Sequence, residues 1–314
     1  MKRIGLFLLS ISIMIGYAGA VYAEPILYTT STDTTSSNFL AYNPSTNSWG
    51  QKASINTCLQ LTADKNGNVY AYDRISNEVK QYDPVTDTWA NYLSGPNGWS
   101  SDNRGNLFVL NDGRVIMTKS TTSNLYLYDS GTWSTVNLGF STNRVGDYDP
   151  ENNQLVLGEY NSSNGHLLDL TTFSSTLFTG GPANGEWARF GEIANGHYYF
   201  KSGQWLADWD LSNNSLSPAN LGTSQDNFYT SGAIDRDNDI LYIVGLGGGH
   251  NSLTAFDLIN GGYTNLANSP GTTLGYHSTA VVGGVSVVPV PSAILLSTIG
   301  LGLAGRKLRK RQTT

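Results

Sequence analysis

One segment recurs six times along the chain and sets its fold class. It is an aromatic or apolar residue, an Asx residue, a short turn and, in five of the six copies, a second aromatic. The copies are Tyr42-Asn43-Pro44 with Trp49, Tyr82-Asp83-Pro84 with Trp89, Tyr128-Asp129 with Trp133, Leu168-Asp169 with Phe173, Trp209-Asp210 and Phe256-Asp257 with Tyr263. The Asx positions are 43, 83, 129, 169, 210 and 257, so successive copies lie 40, 46, 40, 41 and 47 residues apart. A period of roughly 40–50 residues is that of a four-stranded propeller blade.

A second marker precedes the first in most units: a turn followed by an alternating strand. It reads Asn66-Gly67-Asn68-Val69-Tyr70, Arg104-Gly105-Asn106-Leu107-Phe108, Asn153-Gln154-Leu155-Val156, Asn195-Gly196-His197-Tyr198-Tyr199 and Asn238-Asp239-Ile240-Leu241-Tyr242. Asn-Gly pairs supply the positive φ that tight hairpins require. The body has no helical periodicity, and only 13% of the chain is charged while 35 residues are glycine, the composition of short strands and turns. Each unit therefore reads as four strands.

The first unit lacks its first strand, because Ile26-Leu27-Tyr28 aligns with the second strand elsewhere. Tyr276 to Val282 provides the missing strand at the other end of the body. Joining the two ends closes the ring and removes its sheet edges. The expectation is an all-β, six-bladed propeller over residues 24–285, closed by a C-terminal strand.

The ends read as addresses. Met1-Lys2-Arg3, an apolar run from Ile4 to Gly16 and small residues up to Ala23 form the pattern of a secretory signal peptide, residues 1–23. At the other end, residues 286–314 hold Val288-Pro289-Val290-Pro291, an apolar stretch from Ala293 to Ala304, and the basic cluster Arg306, Lys307, Arg309, Lys310 and Arg311. The apolar helix is about 14 residues long, roughly 20 Å, and falls short of a ~30 Å hydrocarbon core. Its basic flank would stay in the cytoplasm with the body outside. This trio resembles a PEP-CTERM sorting signal, with Val290 in place of the glutamate in the family's usual motif. The resemblance implies a short transmembrane helix that anchors the protein transiently at the inner membrane. It also implies an exosortase-type partner, and a Gram-negative bacterium that makes extracellular polysaccharide.

The repeat unit is similar to a kelch repeat. Ile240-Leu241-Tyr242-Ile243-Val244-Gly245, Gly247-Gly248 and Leu253-Thr254-Ala255-Phe256-Asp257 carry the resemblance best, and Tyr82 to Trp89 matches its later half. Most units lack the double glycine. Kelch-like propellers are mostly binding scaffolds, an implication of fold rather than of any site.

Chemistry is sparse. His166, His197, His250 and His277 lie in four different units without metal-ligand spacing. Cys58 sits in an apolar strand pattern that favours packing. The carboxylates Asp235, Asp237 and Asp239 alternate as Ca²⁺ ligands can, but they fall on a hairpin turn whose chemistry explains them better. Gly245 to Asn251 is glycine-rich, yet no helix follows to hold a phosphate, and no cofactor motif stands elsewhere. The body carries 11 basic against 24 acidic residues, a net −13, which argues against nucleic acid as a partner.

One set of residues suggests a site. Trp99, Arg144, Trp187, Tyr229 and His277 occupy nearly aligned positions where the chain enters each inner strand, so they are expected to ring one mouth of the central channel. Aromatic platforms there would stack a sugar or peptide. Packing between blades is the competing role for the same side chains. Trp49, Trp89 and Trp133 recur at a single blade position and read as structural. No convergent catalytic set is visible. The expected function is a non-enzymatic, exported surface or matrix module that binds glycan or protein or has a structural role. The alternative is a secreted glycan lyase or hydrolase that uses two carboxylates, or a His and a Tyr, facing each other at the channel mouth.

Overall fold

The structure, a computed structural model, describes residues 26–32, 38–56, 61–99, 105–179, 188–202, 205–220, 231–245, 252–268 and 276–282. The chain divides into two compact units, Glu24–Gly283 and a second made of Met1–Ala23 with Gly284–Thr314. The described residues all lie in the first unit. Residues 1–23, read as a signal peptide, Cys58, the Val288–Pro291 motif and the basic cluster from Arg306 to Arg311 lie outside them. Among the described residues no helix is long and apolar enough to cross a membrane.

The first unit is a six-bladed β-propeller, and its described residues form 24 strands in six four-stranded antiparallel sheets. Blade 1 is built from β1 (Ile26–Thr32), β2 (Asn38–Asn43), β3 (Ser48–Lys52) and, from the far end of the body, β24 (Tyr276–Val282). Blade 2 holds β4 (Thr62–Ala63), β5 (Val69–Asp73), β6 (Glu78–Asp83) and β7 (Thr88–Ser94). Blade 3 holds β8 (Gly105–Val109), β9 (Val115–Lys119), β10 (Asn124–Asp129) and β11 (Thr132–Asn137). Blade 4 holds β12 (Thr142–Asp149), β13 (Gln154–Glu159), β14 (Gly165–Asp169) and β15 (Ser175–Phe178). Blade 5 holds β16 (Ala188–Ala194), β17 (His197–Ser202), β18 (Trp205–Asp210) and β19 (Ser215–Asn220). Blade 6 holds β20 (Ser231–Asp235), β21 (Ile240–Val244), β22 (Leu253–Asp257) and β23 (Tyr263–Asn265).

The inner strands β4, β8, β12, β16, β20 and β24 neighbour one another in that order and return to β4, so the ring is closed. Closure is made by β24 pairing antiparallel with β1 in the register Tyr28↔Ala280 and Thr30↔Ser278. The inner strand expected to be missing from the first unit is thus supplied by Tyr276–Val282.

The recurring Asx residue has a physical role in the blades. At the turn between third and fourth strands, the side-chain oxygen of Asn43, Asp83, Asp169, Asp210 or Asp257 accepts the amide two residues on. The fifth residue then takes a left-handed φ: Asn47, Asp87, Phe173, Asn214 and Gly261. Asn, Asp and Gly tolerate that conformation; Phe173 departs from the preference.

Six hydrophobic clusters follow, one between each pair of adjacent blades. Leu27 and Tyr42 of blade 1 pack with Ala233, Tyr242, Val244 and Leu253 of blade 6, so the closing interface has a core like the other five. Each of the recurring tryptophans staples its blade to the one before. Trp89 Nε1 donates to the Ala53 carbonyl at 2.8 Å, and Trp133 Nε1 to the Ser94 carbonyl at 2.8 Å. The structural role read for these residues is what the geometry gives.

Candidate functional site

The expected ring of aromatics at the inner-strand entries does not stand open at Trp99. Its side chain is only 7% exposed and packs edge-on against Tyr72 and Tyr126, at ring-centroid distances of 5.9 and 5.2 Å, in the core between blades 2 and 3. An indole that fills an inter-blade gap cannot stack a ligand, so Trp99 is a packing residue. Arg144 lies on β12 where the register with β13 shifts, between Thr142 and Gly146. His277 lies on β24 opposite Ser31. Trp187 and Tyr229 lie outside the described residues.

The alternating carboxylates do not converge on a cation. Asp235 is fully buried, and its Oδ1 accepts the amides of Asp237 and Asn238 at 3.1 and 3.3 Å while Oδ2 accepts Asn238 Nδ2 at 2.8 Å. Asp239 takes the left-handed turn position and accepts Asn195 Nδ2 at 2.6 Å. Asp149 organises the equivalent turn of blade 4 in the same way. Asp235, Asp237 and Asp239 build a hairpin, the turn role preferred for them over Ca²⁺ ligation. Among the described residues, no group of three or more His, Cys, Asp or Glu side chains is arranged to hold a metal ion.

What the fold does bring together is a charged group from two successive inner strands and the turn that follows the next one. Asp147 on β12 and Glu192 on β16 occupy the same position in their blades, each after a glycine. Pairing with the second strand puts Gly146, Gly191 and Gly232 in one register, followed by Asp147, Glu192 and Ala233. Asp147 Oδ2 accepts the Ile193 amide of the next blade at 2.7 Å. Glu192 likewise accepts the Ile234 amide of the blade after that. Arg236, on the turn leaving β20, reaches back across both interfaces. Its Nη2 lies 2.9 Å from Asp147 Oδ2, and its Nε donates to the Ile193 carbonyl at 3.0 Å.

The electrostatics of the cluster are unbalanced. Burial, chiefly, raises the pKa of Asp147, against the pull of the Arg236 guanidinium. Glu192 is raised well above the ordinary glutamate value, by burial first and by the Asp147 charge second. Glu192, in register with Tyr199, lies on the face of blade 5 turned to blade 6, and the phenol of Tyr198 on β17 lies on the opposite face, packed with Ile193 and Phe200 against blade 4. It is 4% exposed, its hydroxyl has no hydrogen-bond partner, and its pKa is pushed far up by burial and by the two carboxylates. Gly191 makes room for it, because a Cβ there would stand 1.8 Å from the Tyr198 hydroxyl oxygen. A buried polar group without a partner costs about 1–3 kcal/mol, so this cluster departs from the well-satisfied turns around it. The sequence reading missed it. The aligned Gly-Asp and Gly-Glu pairs at 146–147 and 191–192 were the available signal.

No family model matches the chain, and no curated protein matches it. Solved structures do. The chain is similar to a chain of a nidogen/laminin complex, with a TM-score of 0.62 at 11% identity over 82% of this chain and 98% of that one. It is similar to TolB from Acinetobacter baumannii, with a TM-score of 0.61 at 14% identity over 86% of this chain and 69% of the other. A streptogramin B lyase gives a TM-score of 0.51 at 12% identity over 78% and 74% of the two chains. At these identities the likeness is one of fold.

Proposed function

We propose that this chain is an exported, non-enzymatic six-bladed propeller that acts at the cell surface or in the extracellular matrix as a binding or structural module. In this reading residues 1–23 direct export. Residues 286–314 pass the protein to an exosortase-type enzyme of a Gram-negative bacterium, and a glycan or protein is the partner of the body. The observation that carries the module is the closed ring, with all six blade interfaces filled by core and stapled by side-chain bonds. Such a body offers rigid loops on a scaffold, the usual basis of recognition. Export and sorting rest on the order of the terminal features, which are basic residues and an apolar run at one end and a Pro-x-Pro motif, apolar stretch and basic cluster at the other. The test is fractionation of a host with an exosortase-type system that expresses the full chain and a chain ending at residue 287. The full chain should reach the surface or matrix, and the shortened chain should not be retained there. Recovery of both from the cytoplasm alone overturns the reading.

A second reading, a lyase or hydrolase, is favoured by one observation: the acids Asp147 and Glu192 occupy the same register position on adjacent inner strands, and burial holds Glu192 well above the ordinary glutamate value, as suits a general acid. It predicts that Glu192→Gln abolishes turnover of an extracellular polysaccharide by the secreted protein. Absence of turnover by the wild type across neutral and acidic glycans removes it.

A further inference from the structure

At the inner end of the seam between blades 6 and 1, hydroxyls take positions that are apolar or glycine in blades 3 to 6. In those blades the second strand sets Met117, Leu157, Phe200 and Ile243 opposite Leu107, Gly146, Gly191 and Gly232 of the inner strand. In blade 1 the corresponding pair is Thr29 and Thr279. Side chains two apart on a strand share a face. Thr29 follows Leu27 by two on β1, and Thr279 precedes Val281 by two on β24, so both lie on the face that Leu27 and Val281 turn to blade 6. From the other side, Ser231 on β20 precedes Ala233 by two and pairs with Val244, and so lies on the face that those residues turn to blade 1. The Thr279 hydroxyl crosses between the blades and donates to the carbonyl of Gly232, the neighbour of Ser231. Three hydroxyls thus meet at one level of one interface.

Thr29 is 2% exposed and Ser231 5%, and neither Thr29 Oγ1 nor Ser231 Oγ has a hydrogen-bond partner among the described residues. Buried hydroxyls are rarely left in that condition. We propose that the seam binds one internal water molecule, held by Thr29 Oγ1, Ser231 Oγ and Thr279 Oγ1. The hydrogens balance. Thr279 directs its only hydroxyl hydrogen to Gly232 and offers lone pairs, so it accepts one hydrogen of the water. Either Thr29 or Ser231 accepts the other, and the remaining hydroxyl donates to the water oxygen. Three hydrogen bonds to buried polar groups is the usual coordination of an internal water. All three ligands are neutral, so a metal cation at this place would bring a buried charge without a counter-charge. The ring is therefore closed at its inner end by a polar bridge, where blades 3 to 6 present apolar side chains or glycine.

The direct test is a high-resolution crystal structure of the full wild-type chain. One water within hydrogen-bond distance of Thr29 Oγ1, Ser231 Oγ and Thr279 Oγ1 is the expected result. A dry interface, hydroxyls of Thr29 and Ser231 bonded to each other, or an ion at metal-ligand distances overturns the proposal. A solution readout uses the full chain with Thr29→Val, Ser231→Ala and both together. Oxygen-17 relaxation dispersion of the solvent counts long-lived internal waters, and the double variant should hold one fewer than the wild type. An unchanged count overturns the bridge. Melting temperatures of the same set show that the variants fold and measure the coupling of the two hydroxyls. Each single change should lower the melting temperature by about 2–4 °C, because it leaves the other hydroxyl and the water short of a partner. The double change should cost less than the sum of the two, since apolar groups of similar shape then face each other. Strict additivity means that no shared water links the pair, and the proposal fails.

Discussion

The indole Nε1 of Trp49 donates a 2.8 Å hydrogen bond to the carbonyl of Ala267, 218 residues further along the chain. The amide of the same Ala267 donates to Asn47 Oδ1 at 3.0 Å. Blade 2 grips blade 1 in the same way, with Trp89 on the Ala53 carbonyl and the Ala53 amide on Asp87 Oδ1 at 2.9 Å. The repeated Trp and the turn residue two before it are one device. In blade 1 that device spans the seam where the two ends of the ring meet.

Trp49→Phe keeps an aromatic ring against Tyr42 and deletes the bond. The expected cost is about 1 kcal/mol, or roughly 2–4 °C in melting temperature for a body of this size. Trp133→Phe should cost less, because the Trp133 bond is exposed to solvent. Thermal melts of the two variants decide the matter. An equal loss in both denies the seam any special share.

Ring closure depends on β24 in a second way. A chain ending at residue 275 leaves β1 as an open edge and uncovers the Leu27, Tyr28 and Phe39 layer. An exposed apolar edge strand pairs with other chains. This variant should elute as oligomers or aggregate, while a control ending at residue 285 stays monodisperse. Size-exclusion chromatography separates the outcomes, and a monodisperse, cooperatively melting chain that ends at residue 275 contradicts the closure argument.

His166 provides a pH prediction of its own. Its ring lies parallel to Phe140 at 3.5 Å, it is 8% exposed, and neither ring nitrogen has a hydrogen-bond partner. Burial lowers its pKa and outweighs the attraction of Glu159, whose oxygen is 3.7 Å away. The unfolded chain protonates this histidine near pH 6.5 and the folded one only at lower pH. Its share of stability is therefore present above about pH 6.5 and lost as pH falls below it. His166→Gln should flatten that acid loss between about pH 6.5 and 5. Parallel wild-type and variant curves in that range count against it.

The fold was legible because its signals are local and repeated. Each Asx turn is decided within five residues, and each recurring Trp sits two residues after the left-handed position, so the period survives in the sequence even where Phe173 or Trp209 replaces the usual type. Closure was legible because Ile26-Leu27-Tyr28 had no partner upstream. The charged cluster was not. Asp147, Glu192 and Arg236 span 89 residues from first to last, and they come together only because three blades share a register. Trp99 misled for the same reason: a bulky residue at the entry to an inner strand has one sequence whether it faces solvent or fills the wedge between Tyr72 and Tyr126.

The register also makes Gly191 a residue of consequence. It pairs with Phe200, and the Tyr198 ring lies over it. A methyl group at 191 would meet the Tyr198 Oη at 1.8 Å, Cζ at 2.2 Å and Cε2 at 2.6 Å, so the ring itself and not only its hydroxyl must leave. Gly191→Ala should therefore destabilise the propeller by about 1–3 kcal/mol, the usual cost of overpacking. Tyr198→Phe should not relieve it, since the ring carbons still collide. Tyr198→Leu should relieve it in part, because a shorter side chain leaves the space above residue 191 empty. A double-mutant cycle on melting free energies measures the coupling. The expected result is a favourable coupling of Gly191→Ala with Tyr198→Leu that is lacking when Gly191→Ala is combined with Tyr198→Phe. Strict additivity in both pairs would mean that Tyr198 does not occupy the space over Gly191.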